Sequence, residues 1–256
     1  QALVKTFGRI EPETGSFVHC GIRHVQDPNS KEVSLDQMDF LNAIKEMPYP
    51  AVKGAPSEEL LDEKMSTHFL SLLRVAFALQ TRPDAAVFVT ALQRACHKAT
   101  VLNARQLNSV LRWLQRTPKR LWFRRLPEYP DSLVLLADSA FKADKDTGLS
   151  VRGMLALRCS KATLGIRGRA GTRIEDCSST GTVPGHLIEW VSKTQRHVTT
   201  ATFASELFGG ADAVDQGKLL QLSLHEIGSG SGSLAELKTS AEEGNLNEAL
   251  ILVLDA

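Results

Sequence analysis

The run Leu133-Val-Leu-Leu-Ala-Asp-Ser-Ala-Phe141 constrains the fold more than any other stretch of the chain. It is apolar on both alternating faces up to Asp138, which predicts a strand in the middle of a sheet. A carboxylate there is costly unless a metal ion or hydrogen bonds compensate it. A second run of the same character, Leu250-Ile-Leu-Val-Leu-Asp-Ala256, delivers Asp255. If the two strands lie side by side and parallel, Asp138 and Asp255 meet at one edge of the sheet, as a hard divalent cation requires. Taken singly, each aspartate also reads as a cap or turn residue.

A third carboxylate has a place beside them. Phe203 to Ile227 reads as a helix with Phe203, Leu207, Ala211 and Val214 on one face. Glu206 borders that face. Gly210, one turn further on the same side, leaves little bulk to hold the helix off a sheet. Asp212 and Asp215 point away from Glu206 and read as solvated.

Composition limits the partners. A chain of 256 residues, 43% of them hydrophobic, can build one large or two small cores. A net charge of +1 provides no global field toward nucleic acid or membrane, so a polyanion site has to be a local patch. The four cysteines, Cys20, Cys96, Cys159 and Cys177, form no CxxC pair and read as reduced thiols of an intracellular protein, cytoplasmic or nuclear. No apolar run is long enough to span a bilayer, no signal peptide is recognisable, and no membrane partner is expected. The first residue is Gln1, which suggests a piece of a longer chain.

Along the chain, Ser16 to Gln26 reads as one strand, with Glu32 to Leu35 as its partner across an Asp27–Ser30 turn. His19, Cys20 and His24 invite a zinc reading, but adjacent residues face opposite sides of a strand and cannot share an ion there. A helix is expected from Ser34 to Met47, ended by Pro48 and Pro50. Three more follow: about 58–79 with Met65, Phe69, Leu72, Leu73 and Ala76 on one face; one opened by Pro83 and carrying Val87, Ala91, Leu92 and Ala95; and one capped by Asn103, with the stripe Leu107, Val110, Leu111 and Leu114. Residues 126–131 read as a Pro-rich linker. Residues 160–186, which include Arg167, Arg169 and Arg173, read as an insertion loop, and Gly228–Ser233 as a flexible linker, native or engineered.

Several of these segments resemble copia-type LTR retrotransposon reverse transcriptase and RNase H, in the right order and over most of the chain. Ala137-Asp-Ser-Ala-Phe141 is similar to that family's "SDADW", Thr202-Phe-Ala-Ser-Glu-Leu207 to "STEAEY", Ile188-Glu-Trp-Val-Ser-Lys-Thr-Gln195 to "ISWKSKKQ", and Gly148 to Met154 to "GRSTSGY". Upstream, Phe17–Ile22 and Val33–Gln37 look like strands closing the polymerase palm. Leu70–Leu73, Thr81-Arg-Pro-Asp84 and Val110–Thr117 look like "GSLMYL", "TRPD" and "LRYLKGT" of the thumb and connection. Two departures stand out. No Asp-Asp pair of the polymerase centre is present, and the family's fourth metal-site residue, on a later helix, has no counterpart.

The resemblance implies an α+β chain: palm-strand remnant at 1–35, helical thumb-like subdomain at 36–125, and a C-terminally truncated RNase H-like domain with a mixed sheet at 126–256. It implies hydrolysis of the RNA strand of RNA–DNA hybrids, with Asp138, Glu206 and Asp255 as catalytic residues and ligands of two Mg²⁺ (or Mn²⁺) ions roughly 4 Å apart. The implied partners are the hybrid, or another nucleic acid, and the palm and fingers of the polyprotein. With the fourth ligand missing, activity of this chain is expected to be weak, and extension to the native C-terminus to restore it. The alternative is a non-catalytic module, a degenerate or domesticated retroelement relic that binds nucleic acid or serves as scaffold.

The strongest local charge feature is the stretch from Arg112 to Arg125. Arg112, Arg116, Lys119, Arg120, Arg124 and Arg125 read equally well as cations along a phosphate backbone, with Trp122 or Phe123 stacking on bases, and as a helix end whose cations complement its dipole, next to core tryptophans.

Overall fold

The computed structural model describes residues 8, 13–48, 53–126, 131–143, 147–160, 185–230 and 233–254. The chain is α+β and divides into two compact units, Gln1–Arg125 and Leu126–Ala256. Asp255, Arg167, Arg169, Arg173 and Cys177 lie outside the described residues.

The first unit pairs a small antiparallel sheet with a helical core. Its strands β1 (Ser16–His19), β2 (Ile22–Gln26), β3 (Val33–Asp36) and β4 (Leu121–Phe123) lie in that order, each antiparallel to the next. The expected single strand from Ser16 to Gln26 is therefore a hairpin. Its two-residue turn is Cys20-Gly21, with φ of 47° and 72°, and a turn with both central residues left-handed matches the twist of the strands it joins. This removes the geometric objection raised against His19 and Cys20. Cys20 Sγ lies 3.3 Å from His19 Nε2, because Cys20 is a turn residue and not a strand residue.

The helices follow their apolar spacing with shifted limits. Strand β3 and the short α1 (Met38–Ala43) occupy the segment expected as one helix from Ser34 to Met47. The helix expected over 58–79 is α2 (Glu63–Leu72), capped by Asp62, whose carboxylate accepts from Met65 N; it tightens into a 3₁₀ segment at Leu73–Gln80. A 3₁₀ turn at Pro83–Ala85, with proline in the first turn, leads into α3 (Ala86–Arg94). The next helix, α4 (Val101–Arg116), begins two residues before the expected Asn103 cap. Thr100 is its N-cap, and Asn103 closes the reciprocal capping box. Phe69, Leu92, Leu107, Leu111 and Leu114 are buried in one cluster, with Leu73 and Val110 partly buried against it.

The second unit is a four-stranded mixed sheet under a long helix. Strands β5 (Asp131–Ala140), β6 (Val151–Ser160) and β7 (Gly185–Thr194) form an antiparallel meander, and β8 (Ala249–Leu254) joins β5 in parallel, in the order β7-β6-β5-β8. The apolar run at 133–137 thus lies in an interior strand. Register pairs Ser132 with Ala249 and Ala137 with Leu254.

Helix α5 (Thr202–Ser229) lies on one sheet face. It does not seat through the apolar face expected of it: Phe203 is 76% and Leu207 58% exposed. It seats through small residues, with Ser205, Gly209, Gly210, Ala213 and Gly217 buried. A Cβ at Gly217 would run into Leu135 Cδ1, and one at Gly210 would come 3.2 Å from Leu254 Cδ2. Backbone-to-sheet approach this close excludes larger side chains, so the bulky apolar residues turn outward. Of the segment expected as a linker, residues 228–230 and 233 are described. Helix α5 runs on to Ser229, Gly230 turns at φ 80°, and Ser233 caps α6 (Leu234–Glu242) in a capping box with Glu236.

Candidate functional site

The site is built where α5 begins, over the C-terminal ends of β5 and β8. A Cβ at Gly209 would come 2.5 Å from Ser139 Oγ, and Gly210 meets Leu254, the last described residue of β8. Glu206 lies one turn ahead of both glycines, and Asp138 immediately precedes Ser139. The fold therefore brings the carriers of Asp138 and Glu206 to the same end of β5, with the end of β8 in the adjacent register position.

The two carboxylates differ in setting. Glu206 is half-buried, and its Oε2 is shielded from solvent with no hydrogen-bond partner. An uncompensated buried carboxylate oxygen costs free energy that a cation or a donor would recover. Asp138 is exposed, and its Oδ1 accepts a hydrogen bond of 2.7 Å from Ser139 N. Strand alternation explains the difference. Leu133, Leu135, Ala137 and Ser139 point to the α5 side and are buried, whereas Leu136 and Asp138 take the other side. Across the sheet Asp138 pairs with Gly153 of β6, and Gly153 with Ser192 of β7. Among the described residues, no group of three His, Cys, Asp or Glu side chains is placed to share a metal ion. The donor set itself, carboxylate oxygens with one of them orphaned, suits a hard divalent cation.

Around these carboxylates lies a polar network that periodicity did not indicate. Gln195, 4% exposed, donates from Nε2 to Ser139 Oγ at 2.9 Å and to the Ser205 carbonyl at 2.8 Å. Its backbone N–H donates to Ser150 O, and the Ser150 and Thr199 hydroxyls lie 3.0 Å apart. The signal in the sequence was a glutamine closing an otherwise strand-like run, with a serine next to Asp138 and another next to Glu206. Asp212, expected to be solvated, is exposed and also pairs with Arg152 of β6.

The basic stretch of the first unit is largely neutralised within that unit. Arg112 pairs with Glu46 at 2.7 Å, Lys119 with Asp84 at 2.7 Å, Arg120 with Asp36 at 3.1 Å and Arg124 with Glu32 at 3.6 Å. Arg116 and Arg125 form no ion pair among the described residues. Trp122 is 49% exposed, with the Arg124 guanidinium 6.0 Å over its ring.

Among the described residues no helix is long and apolar enough to cross a membrane. No family model matches the chain, and a search of curated proteins found no match.

Proposed function

We propose that the second unit is an RNase H-like module of a copia-type retroelement, a metal-dependent hydrolase of RNA in RNA–DNA hybrids. The reading rests on the sequence motifs described above. One structural observation supports it best: Glu206, whose Oε2 is shielded and without a hydrogen-bond partner, lies one turn ahead of the glycines that meet Ser139 and Leu254. Asp138, Glu206 and Asp255 would hold Mg²⁺ or Mn²⁺. When bound, the metal supplies an activated water and counter-charge for the leaving 3′ oxygen. The protein's own part is to orient the carboxylates. Ser139 N–H holds one Asp138 oxygen, and one Glu206 oxygen is shielded from solvent. Selectivity for a hybrid would come from A-form groove shape and 2′-OH contacts.

Two observations favour a second reading, a non-catalytic relic or scaffold. Asp138 is exposed, and four of the six cations proposed for nucleic-acid contact already have carboxylate partners. Single-turnover cleavage of a labelled hybrid separates the two. The enzyme reading expects slow cutting of the RNA strand only, dependent on Mg²⁺ or Mn²⁺ and abolished by Asp138→Asn, which keeps the shape and removes a ligand charge. Cutting that survives chelation or Asp138→Asn would overturn it.

A further inference from the structure

We infer that the groove between α3 and α4 of the first unit is a docking site for an acidic amphipathic helix of a partner protein. The inner faces of the two helices, with Val89, Leu107, Leu111 and Leu114, are spent on the core. Each helix carries a second apolar row beside that face. Phe88, Ala91 and Leu92 of α3 and Leu102, Val110 and Trp113 of α4 line a groove of about 750 Å³. Phe88 and Leu102 are exposed there, large apolar side chains at helical spacing with nothing over them among the described residues. From Leu102 to Trp113 the α4 wall rises about 16 Å, three turns, the span of the i, i+4 and i+7 anchors of a docked helix. One end is built in advance. The Trp113 ring has the Phe88 ring edge-on at 6.0 Å and the Arg82 guanidinium at 5.0 Å, so a partner spends little on ordering it.

Charge selects the occupant. Between Asp84 and Glu128 the sequence has nine lysines and arginines and no acidic residue, so both walls of the groove are cationic where they are charged. On α4, Arg105, Ser109, Arg112 and Arg116 are spaced i, i+4, i+7 and i+11, one row beside the apolar one. Arg105 and Ser109 line the groove, and Arg112 donates to Ser109 Oγ at 3.3 Å. Arg116 at the end of that row and Arg94 at the end of α3 are exposed and form no ion pair among the described residues. A helix with an apolar stripe flanked by Asp and Glu fills the floor and meets this edge, whereas a basic helix is repelled by it. A phosphate backbone suits the groove less well. Its floor is apolar and concave, Arg105 is held by the Ala55 carbonyl at 2.8 Å, and Arg112 is paired with Glu46.

The test is fluorescence anisotropy of a labelled peptide of about four turns, titrated with the whole chain. The peptide carries Leu at i, i+3, i+4 and i+7 and Glu on its other faces. One control scrambles the same residues, and a second has Lys for every Glu. The acidic peptide is expected to bind about tenfold more tightly than either control, or better. Leu102→Glu puts a like charge into the groove, at an exposed position in the first turn of α4 where a helix accepts an acid, and should weaken binding about tenfold or more. Arg116→Gln should weaken it about threefold and flatten its salt dependence, and carries the test if Leu102→Glu does not fold. Leu219→Glu, equally exposed but on α5 of the second unit, should bind like the parent. Equal binding of acidic and scrambled peptides, or parent-like affinity in both Leu102→Glu and Arg116→Gln, overturns the inference. So does an RNA–DNA hybrid that binds the parent and not Leu102→Glu while the peptide fails to bind, which assigns the groove to nucleic acid. Self-association of the chain that Leu102→Glu abolishes, again without peptide binding, assigns it to a second copy and overturns the inference equally.

Discussion

At the scale of single residues, the motif Thr81-Arg-Pro-Asp84 shows how a short polar string can organise a core. Arg82 is 1% exposed. It donates to both oxygens of Asp84 at 2.9 and 3.1 Å, to the carbonyls of Leu114 and Thr117 at 3.1 and 2.9 Å, and lies 5.0 Å over the Trp113 ring. The last turn of α4 thus has its free carbonyls met by a cation, as helix ends require. Burial alone would raise the Asp84 carboxyl, but hydrogen bonds and charge from Arg82 and Lys119 outweigh it and hold the group below its ordinary value. Asp36 is the same case, with burial opposed by Arg23, Met38 N–H and Arg120. A depressed folded-state pKa contributes stability that is present above the unfolded value, about 3.9, and disappears as pH falls through the folded value. The Asp84→Asn variant should therefore melt below the parent at neutral pH, with the gap closing below about pH 4. Trp113 fluorescence in a background of Trp122→Phe and Trp190→Phe reads this, and a gap independent of pH would contradict it. Sequence identified Arg82 as part of a motif but not its partners, because the carbonyls it caps lie more than thirty residues away.

At the scale of elements, spacing fixed which segments are helical or extended, and local chemistry fixed their ends. Helix α4 was legible from Leu107, Leu111 and Leu114, whereas the hairpin at Cys20-Gly21 was not, since cysteine is an uncommon choice for a left-handed position. Leu111, 1% exposed, should cost about 2–5 kcal/mol when cut to alanine, measured by urea denaturation; an unchanged midpoint would mean that the stripe does not carry the core. Helix α5 misled in a more instructive way. Its large apolar residues suggested the buried face, yet close approach to the sheet selects the glycine side. Replacing a helical glycine by alanine gains about 1 kcal/mol of propensity, while overpacking a closed site costs about 1–3 kcal/mol. Gly217→Ala, blocked by fully buried Leu135, should therefore destabilise. Gly210→Ala presses only on the tip of Leu254, 42% exposed, and should be neutral or stabilising. The opposite order of urea midpoints would refute this account of the seam.

At the scale of the whole molecule, the apolar runs ending in Asp138 and Asp255 predicted parallel neighbours in a mixed sheet, and β5 and β8 are paired in parallel through Leu254. That much was legible because a strand apolar on both faces has few places in a sheet. Which way Asp138 points was not legible, because alternation sets its side only relative to a helix whose seating face was misread. The buried hydrogen bonds of Gln195 were not legible either, since they join residues 139, 195 and 205 through the tertiary fold alone. The central claim, that Asp138 and Glu206 serve one cation, is tested most directly by titrating Mn²⁺ into the isotopically labelled chain and following paramagnetic broadening of amide signals. The account predicts that Asp138, Ser139, Ser205, Glu206 and Leu254 broaden first, at substoichiometric Mn²⁺, and that Glu206→Gln removes the effect. Broadening centred on other carboxylates, such as Asp62 and Glu63 at the start of α2, or the same pattern persisting in Glu206→Gln, would contradict it.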